Sequence, residues 1–342
     1  MNDMELNSFL VENNFSGNVF IGKGPKVLFE KSFGLANREF NIENNKETIF
    51  ALASITKMFT AISILQLVAS NKCNLISPIS EYITLENLNN YSEVTIKDLL
   101  THSSGLPDYI DEYNPDSNSL QGKINSLNSI DDYIELIKFS PHPTAKRGTF
   151  HYNNYGFIIL GKIIENITGQ SYYSYVQENI FLTAHMQKTS FYKLDDIIPN
   201  RSEGYYQDAK GIWKRNLFAI PFIGGSDGGA YSTIEDLNNF ITAINKNILL
   251  SKEYTELFLS PQQFDYENKR YIWKYGFGNW FLLSKDNIIV RWGHPGEDKG
   301  VSTRLSYFPE KDITVIVLSN VTDQAEEVLL FIRNNIISPN LP

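Results

Sequence analysis

Trp280-Phe281-Leu282-Leu283, Ile288-Ile289-Val290-Arg291-Trp292, Thr303-Arg304-Leu305-Ser306-Tyr307-Phe308 and Ile313-Thr314-Val315-Ile316-Val317-Leu318 succeed one another near the end of the chain. The four runs are rich in β-branched and aromatic residues, and Asn, Gly, Pro and Asp separate them. They read as consecutive antiparallel strands. At the other end, Val19-Phe20-Ile21 and Val27-Leu28-Phe29 flank Gly22-Lys23-Gly24-Pro25-Lys26, which predicts a β-hairpin. Residues of about 3–13 form a short amphipathic helical pattern before it. Between these ends the pattern is mainly helical, at Ser54–Ser70, Ile96–Leu100, Ile130–Lys138 and Tyr155–Ile167, with the longest polar loop at about 108–129. Ser232 and Glu235 form a capping-box pattern ahead of Leu237, Phe240, Ile241 and Ile244, and a last helix is predicted at about 323–336. Strands at both ends with helices between them predict one antiparallel sheet built from both termini, flanked by helices, with a mainly helical region inserted. That is an α+β fold rather than alternating βαβ. The expected organisation is a single domain over 1–342, with a sheet subdomain of about 1–50 and 225–342 and a helical subdomain of about 51–224.

The composition suits a folded chain: 42% of the 342 residues are hydrophobic and 13% aromatic, enough for a sizeable core. The net charge of −9, without blocks of like charge, argues against nucleic acid and anionic membrane as partners. No run reaches the roughly 20 apolar residues of a bilayer-spanning helix. Cys73 is the only cysteine, so no intramolecular disulfide forms and no cysteine-based metal site is expected. The histidines are scattered without an H-E-x-x-H pattern, so neither metal nor cofactor is expected. The opening Met1–Leu10 lacks a basic start, a long apolar run and a small-residue cleavage site. It predicts a cytoplasmic protein, unless a signal peptide has been removed.

Ser54-Ile55-Thr56-Lys57 opens a helix that is apolar almost all round and therefore buried. Residues three apart share a helix face, so the Ser54 hydroxyl can meet the Lys57 amine. Free N–H groups and the positive dipole end at the helix start would favour a developing oxyanion. Burial would favour a neutral lysine able to act as base. Alone, the pair is a weak signal and reads first as a helix cap with a snorkelling lysine.

The surroundings carry more. Phe50–Lys57, Leu99-Leu100-Thr101-His102-Ser103-Ser104-Gly105-Leu106-Pro107, Phe150-His151-Tyr152-Asn153-Asn154-Tyr155-Gly156, Gly228-Gly229-Ala230-Tyr231-Ser232-Thr233 and Gly293-His294-Pro295-Gly296 follow in that order. In this order they resemble the penicillin-binding protein and β-lactamase superfamily. The branch they resemble most contains class C β-lactamases, esterases, D-aminopeptidases and D,D-peptidases. The resemblance runs from about residue 16 to 335.

It implies Ser54 as nucleophile, Lys57 as its activating partner and Tyr152 as a second proton-handling group; whether Lys57 or Tyr152 is the base stays open. It implies Asn154 as a group orienting the substrate amide or Lys57. The third motif ends at Gly296, and the backbone N–H groups of Ser54 and Glu297 would form the oxyanion hole. His294 stands where relatives often have lysine. A mostly neutral histidine holds a carboxylate less firmly, which shifts the expected substrate away from β-lactams. His102 is expected only to support its loop. Tyr109, Trp213, Tyr231 and Trp292 are candidate pocket walls. Gly224-Gly225-Ser226-Asp227-Gly228 fits the rival nucleophile-elbow pattern, but the next helix starts too late for a tight elbow.

The expected activity is acyl-enzyme hydrolysis of an ester or small amide, D-amino-acid amides included. The alternatives are acyl transfer or peptide cyclisation, D,D-peptidase or β-lactamase action at the same site, or a non-catalytic sensor or binding protein. The expected partner is a small-molecule ester, amide or short peptide, and the oligomeric state is left open.

Overall fold

The computed structural model of the chain describes residues 3–84, 91–109, 123–136 and 145–337. Two strands open it, β1 (Gly17–Lys23) and β2 (Lys26–Phe33). Six short strands pair outside the main sheet. These are β3 (Leu35–Asn37) with β4 (Ile42–Glu43), β5 (Phe50–Ala51) with β8 (Tyr231–Ser232), and β6 (Tyr205–Gln207) with β7 (Trp213–Arg215). Six more complete the sheet: β9 (Gln263–Glu267), β10 (Tyr271–Tyr275), β11 (Trp280–Ser284), β12 (Ile289–Asp298), β13 (Val301–Phe308) and β14 (Ile313–Ser319). The order is β2-β1-β14-β13-β12-β11-β10-β9, antiparallel throughout. The first hairpin thus closes on the last strand, with Val19 opposite Val317 and Ile21 opposite Val315.

Side-chain alternation gives this sheet two faces. Val19, Ile21, Val315 and Val317 pack against Leu6 and Leu10 of α1 (Asp3–Glu12) and against Val328, Leu329 and Ile332 of α9 (Ala325–Ile332). Phe20, Trp292, Leu305, Ile316 and Leu318 face the other way into the larger core. At its centre lies α2 (Thr56–Ala69), buried on nearly every side. Around it the chain runs through α3 (Ile96–Leu100), α4 (Ile130–Leu136), α5 (Asn154–Thr168), α6 (Tyr172–Val176), α7 (Ile234–Asn245) and α8 (Lys252–Phe258). The architecture is the α+β arrangement expected from the sequence. Part of the 108–129 loop and the end of the Ile130–Lys138 helix lie outside the described residues.

Two local readings change. The cap of α7 is Thr233, not Ser232: the Thr233 hydroxyl accepts from the Asp236 N–H at 3.2 Å. Asp236 is fixed there by the Lys188 N–H and the Thr189 hydroxyl, each at 2.7 Å, while Ser232 shares a 2.7 Å hydrogen bond with Thr189. Strands β9 and β10 were not apparent in the sequence. The first mixes exposed and half-buried residues, and Asn268-Lys269-Arg270 masks the turn that joins the two.

Candidate active site

A single 3-10 turn, Ala53–Ile55, leads into α2 and carries Ser54. Ala53 has φ +46°, a left-handed conformation that a residue with a Cβ adopts only when its surroundings impose it. The clamps are visible. The Ala53 carbonyl accepts the Thr56 hydroxyl at 2.8 Å and the Gly229 N–H at 3.4 Å. The Leu52 N–H donates to the Ala230 carbonyl at 2.8 Å, and the Thr303 hydroxyl reaches the Leu52 carbonyl at 3.1 Å. Gly296 completes the frame: a Cβ there would lie 2.0 Å from the Leu52 carbonyl oxygen. Only glycine lets β12 approach the segment bearing Ser54 this closely.

One turn on, Lys57 is fully buried, which requires that its amine be paired. Its Nζ lies 2.8 Å from Asn154 Oδ1, 2.7 Å from the Asp227 carbonyl and 3.0 Å from Ser54 Oγ. The first two atoms can only accept, so they hold two amine hydrogens. The Ser54 hydroxyl is a further partner of the same nitrogen. A neutral amine so held turns its lone pair on the nucleophile, the arrangement a general base needs. The Tyr152 ring centroid is 4.8 Å from the same nitrogen.

Asn154 and Tyr152 are brought in by the start of α5. Asn153 caps this helix, its side chain accepting from the Gly156 N–H at 2.7 Å. The Asp108 carboxylate accepts from the N–H groups of Asn154 (2.7 Å) and Tyr155 (3.1 Å). His102 Nδ1 accepts from the Asn153 N–H at 3.1 Å, and the His102 carbonyl accepts from His151 at 2.8 Å. The His102 ring lies 4.3 Å from that of Tyr152. His102 thus supports its loop, as expected, and also holds the segment bearing Tyr152. Burial, eased by the three backbone N–H groups it accepts from, leaves the Asp108 carboxyl raised to about 7. Asp227 is buried too, and burial raises its carboxyl, which is bonded to the Tyr109 hydroxyl. Asp108 and Asp227 were missed from sequence. The only available signal was position: Asp108 directly follows the Gly105-Leu106-Pro107 end of its motif, and Asp227 sits inside the rival elbow pattern.

That elbow is not formed. Ser226 is fully buried and its hydroxyl donates to the Phe157 carbonyl at 2.9 Å, while its own carbonyl accepts from Thr60 at 2.6 Å.

A cavity of about 370 Å³ opens beside Ser54. Asn154, Tyr109 and Tyr133 line one side, and Glu297, Asp298 and Asp323 lie on its border. Past Gly293, β12 has no partner on its β11 side among the described strands, so its edge by Gly296 and Glu297 is open. Ser54, Asn154 and Glu297 therefore meet at one cavity, with Lys57 beneath it. The Glu297 carboxylate turns to Arg304.

His294 is placed differently from the sequence expectation of a substrate contact. It does not line this cavity. Its Nδ1 sits 2.6 Å from the Pro295 carbonyl and its Nε2 3.1 Å from the Tyr275 hydroxyl, so both ring nitrogens are used inside the protein. Burial lowers its pKa to about 3. The folded state then binds fewer protons than the unfolded one between pH 3 and 6.5. The His294 contribution to stability is complete above pH 6.5 and is lost as pH falls through that window. Going from pH 7.5 to 5 should cost about 2 kcal/mol through this residue, at about 1.4 kcal/mol per tenfold change in proton affinity. Urea unfolding at the two pH values checks this: His294→Gln should show a correspondingly smaller loss, and an equal loss would remove His294 as its source.

Of the four candidate wall aromatics, only Tyr109 lines the cavity. Trp292 is buried against Phe258 and Tyr307, Trp213 lies under the Arg38 guanidinium at 3.7 Å, and Tyr231, in β8, lines a smaller pocket that shares Ala53 and Gly229 with this cavity. No group of three or more His, Cys, Asp or Glu among the described residues is arranged to hold a metal ion. No helix among them is long and apolar enough to cross a membrane.

The antiparallel sheet with its flanking helices is the fold of the β-lactamase-related serine hydrolases. The chain belongs to the β-lactamase family, whose model matches residues 13–333. It is similar to a penicillin-binding protein from Bacillus halodurans, at 34% identity and TM-score 0.90, covering 97% of this chain and 100% of that one. It is similar to the octameric penicillin-binding protein homologue from Pyrococcus abyssi, at 27% identity and TM-score 0.84, over 99% and 78% of the two chains. It also resembles the teichoic acid D-alanine hydrolase of Staphylococcus aureus, at 25% identity over 339 residues, 99% of this chain and 78% of that protein. These relatives correct one expectation. The cytoplasmic location read from the first ten residues does not stand, because penicillin-binding proteins and a teichoic acid hydrolase are proteins of the cell envelope.

Proposed function

We propose that this chain is a serine hydrolase that acts through an acyl-enzyme on an ester or small amide, D-amino-acid derivatives included. The observation that carries the reading is the amine of Lys57, held by Asn154 and Asp227 at 3.0 Å from Ser54 Oγ. Ser54 attacks the acyl carbonyl as its proton passes to the Lys57–Tyr152 pair. The oxygen that gains charge is received by the N–H groups of Ser54 and Glu297. The leaving alcohol or amine takes up the proton, and water then releases the acid. Asn154 holds the amine of Lys57 in place.

The cavity border supports this substrate class over β-lactams. Among its described lining residues are Asp298, Asp323 and Glu297, the last paired with Arg304, and no lysine or arginine. A β-lactam brings a carboxylate that such a border repels, whereas an aminoacyl ester or amide brings an ammonium that it attracts. The name of one relative, the teichoic acid D-alanine hydrolase, agrees with an aminoacyl substrate, while others are named penicillin-binding proteins. Turnover of p-nitrophenyl butyrate and D-alanine p-nitroanilide compared with nitrocefin tests the reading. At least one of the first two should be the better substrate by kcat/KM; nitrocefin exceeding both would refute the substrate class.

A further inference from the structure

A second cavity, of about 350 Å³, lies on the outer face of the sheet and shares no lining residue with the Ser54 cavity. On that face α1 and α9 pack over the strands built from β1, β2 and β14. Farther along, the sheet presents an aromatic surface. Tyr266, Trp273, Leu282 and Arg291 stand opposite one another across β9, β10, β11 and β12. In the next row Trp280 is followed by Gly293 and Ser306. Trp280, Gly293 and Ser306 all line the cavity.

Two polar groups in this cavity have no hydrogen-bond partner among the described residues. Arg291 is half-buried, lines the cavity and makes no hydrogen bond or ion pair with any described residue, so its guanidinium donors face the cavity. Burial, together with the Arg333 and Arg304 charges, pushes its pKa down to about 10 against the pull of Glu326. Ser306 is only 4% exposed, and its hydroxyl likewise has no partner among the described residues. The neighbouring charges do not satisfy them. Glu326 is engaged by Arg304 at 2.7 Å, and Asp265, at the rim, is itself desolvated and raised. Donors that face a cavity and have no acceptor among the described residues leave it suited to a ligand that supplies one.

We propose that this cavity is a binding site for a small organic carboxylate with a planar apolar body. The carboxylate accepts from the Arg291 guanidinium, whose planar fork matches it, and the body rests on Trp273 and Trp280 above Gly293. The volume suits a molecule of this size. The site is independent of the acyl-enzyme reading, because it needs neither Ser54 nor Lys57.

Phenylacetate titrated into the full chain, followed by tryptophan emission, tests the proposal. A saturable change is expected with phenylacetate and none with phenethylamine, which carries the opposite charge. Ser54→Ala should bind as the parent does. Arg291→Gln should weaken binding about tenfold or more, the loss expected for a charge-assisted contact. Ser306→Ala, a milder change, should weaken it a few-fold and gives a second readout should Arg291→Gln fail to fold. No saturable change, equal binding of phenethylamine, or a folded Arg291→Gln protein with unaltered affinity would overturn the proposal. So would loss of binding once Ser54 carries a phosphonyl group, since that would place the ligand in the other cavity.

Discussion

Lys57→Met is expected to slow acylation of Ser54 by about 10²–10⁴-fold, the usual contribution of a positioned proton acceptor. Methionine keeps a similar volume in the core and removes only the amine. The loss follows from the geometry. With Nζ gone, nothing on α2 meets Ser54 Oγ, and a serine hydroxyl alone is a weak nucleophile. Stability changes in both directions at once. Asn154 Oδ1 and the Asp227 carbonyl lose their shared donor, at about 1–3 kcal/mol each. Relief from burying an amine offsets part of that cost. A folded protein is therefore expected, with an unfolding midpoint modestly changed. Single-turnover acylation by a p-nitrophenyl ester, beside circular dichroism, separates the two effects. Near-normal acylation in a folded Lys57→Met protein would remove Lys57 from the mechanism and leave Tyr152 as the base.

Gly296→Ala should have the second-largest effect. The added Cβ falls 2.0 Å from the Leu52 carbonyl oxygen and 2.4 Å from Thr303 Oγ1. Neither is the loose end of a flexible side chain: Leu52 is backbone, and Thr303 is pinned to it at 3.1 Å. β12 must move away from the turn that carries Ser54, and the Glu297 N–H moves with it. Loss of one oxyanion donor costs about 10²–10³-fold in kcat. The steric clash itself should destabilise the fold by about 1–3 kcal/mol. The diagnostic pattern is a fall in kcat with little change in KM, because the lost contact acts on the transition state. Unaltered kcat would show that the β12 edge takes no part in the reaction.

How much of this was legible in the sequence depended on whether a residue's task is local. The β11–β14 runs and the first hairpin carry their own pattern, so the sheet built from both ends could be read directly. The Ser54–Lys57 pair could be read because three residues of helix bring the two groups together. Asn154 came through its motif, and the structure places it 2.8 Å from Lys57. What escaped is set by tertiary packing. Asp108 caps a helix that starts 46 residues later, and the Asp227 carbonyl, not its acidic side chain, holds Lys57. No periodicity announces either. His294 was recognised as a departure from lysine, but its place behind the cavity depends on Tyr275, across the sheet in β10, a strand the sequence did not disclose. The choice between Ser232 and Thr233 as cap was decided by Asp236 and its partners 47 and 48 residues away.

Covalent labelling should identify Ser54 as the nucleophile. Intact-protein mass spectrometry after incubation with a fluorophosphonate, followed by peptide mapping, tests it most directly. One covalent phosphonyl adduct is expected, located on Ser54, absent from Ser54→Ala and much slower to form in Lys57→Met. An unlabelled protein, under conditions that label a related esterase, or an adduct mapping to Ser226, would contradict the account.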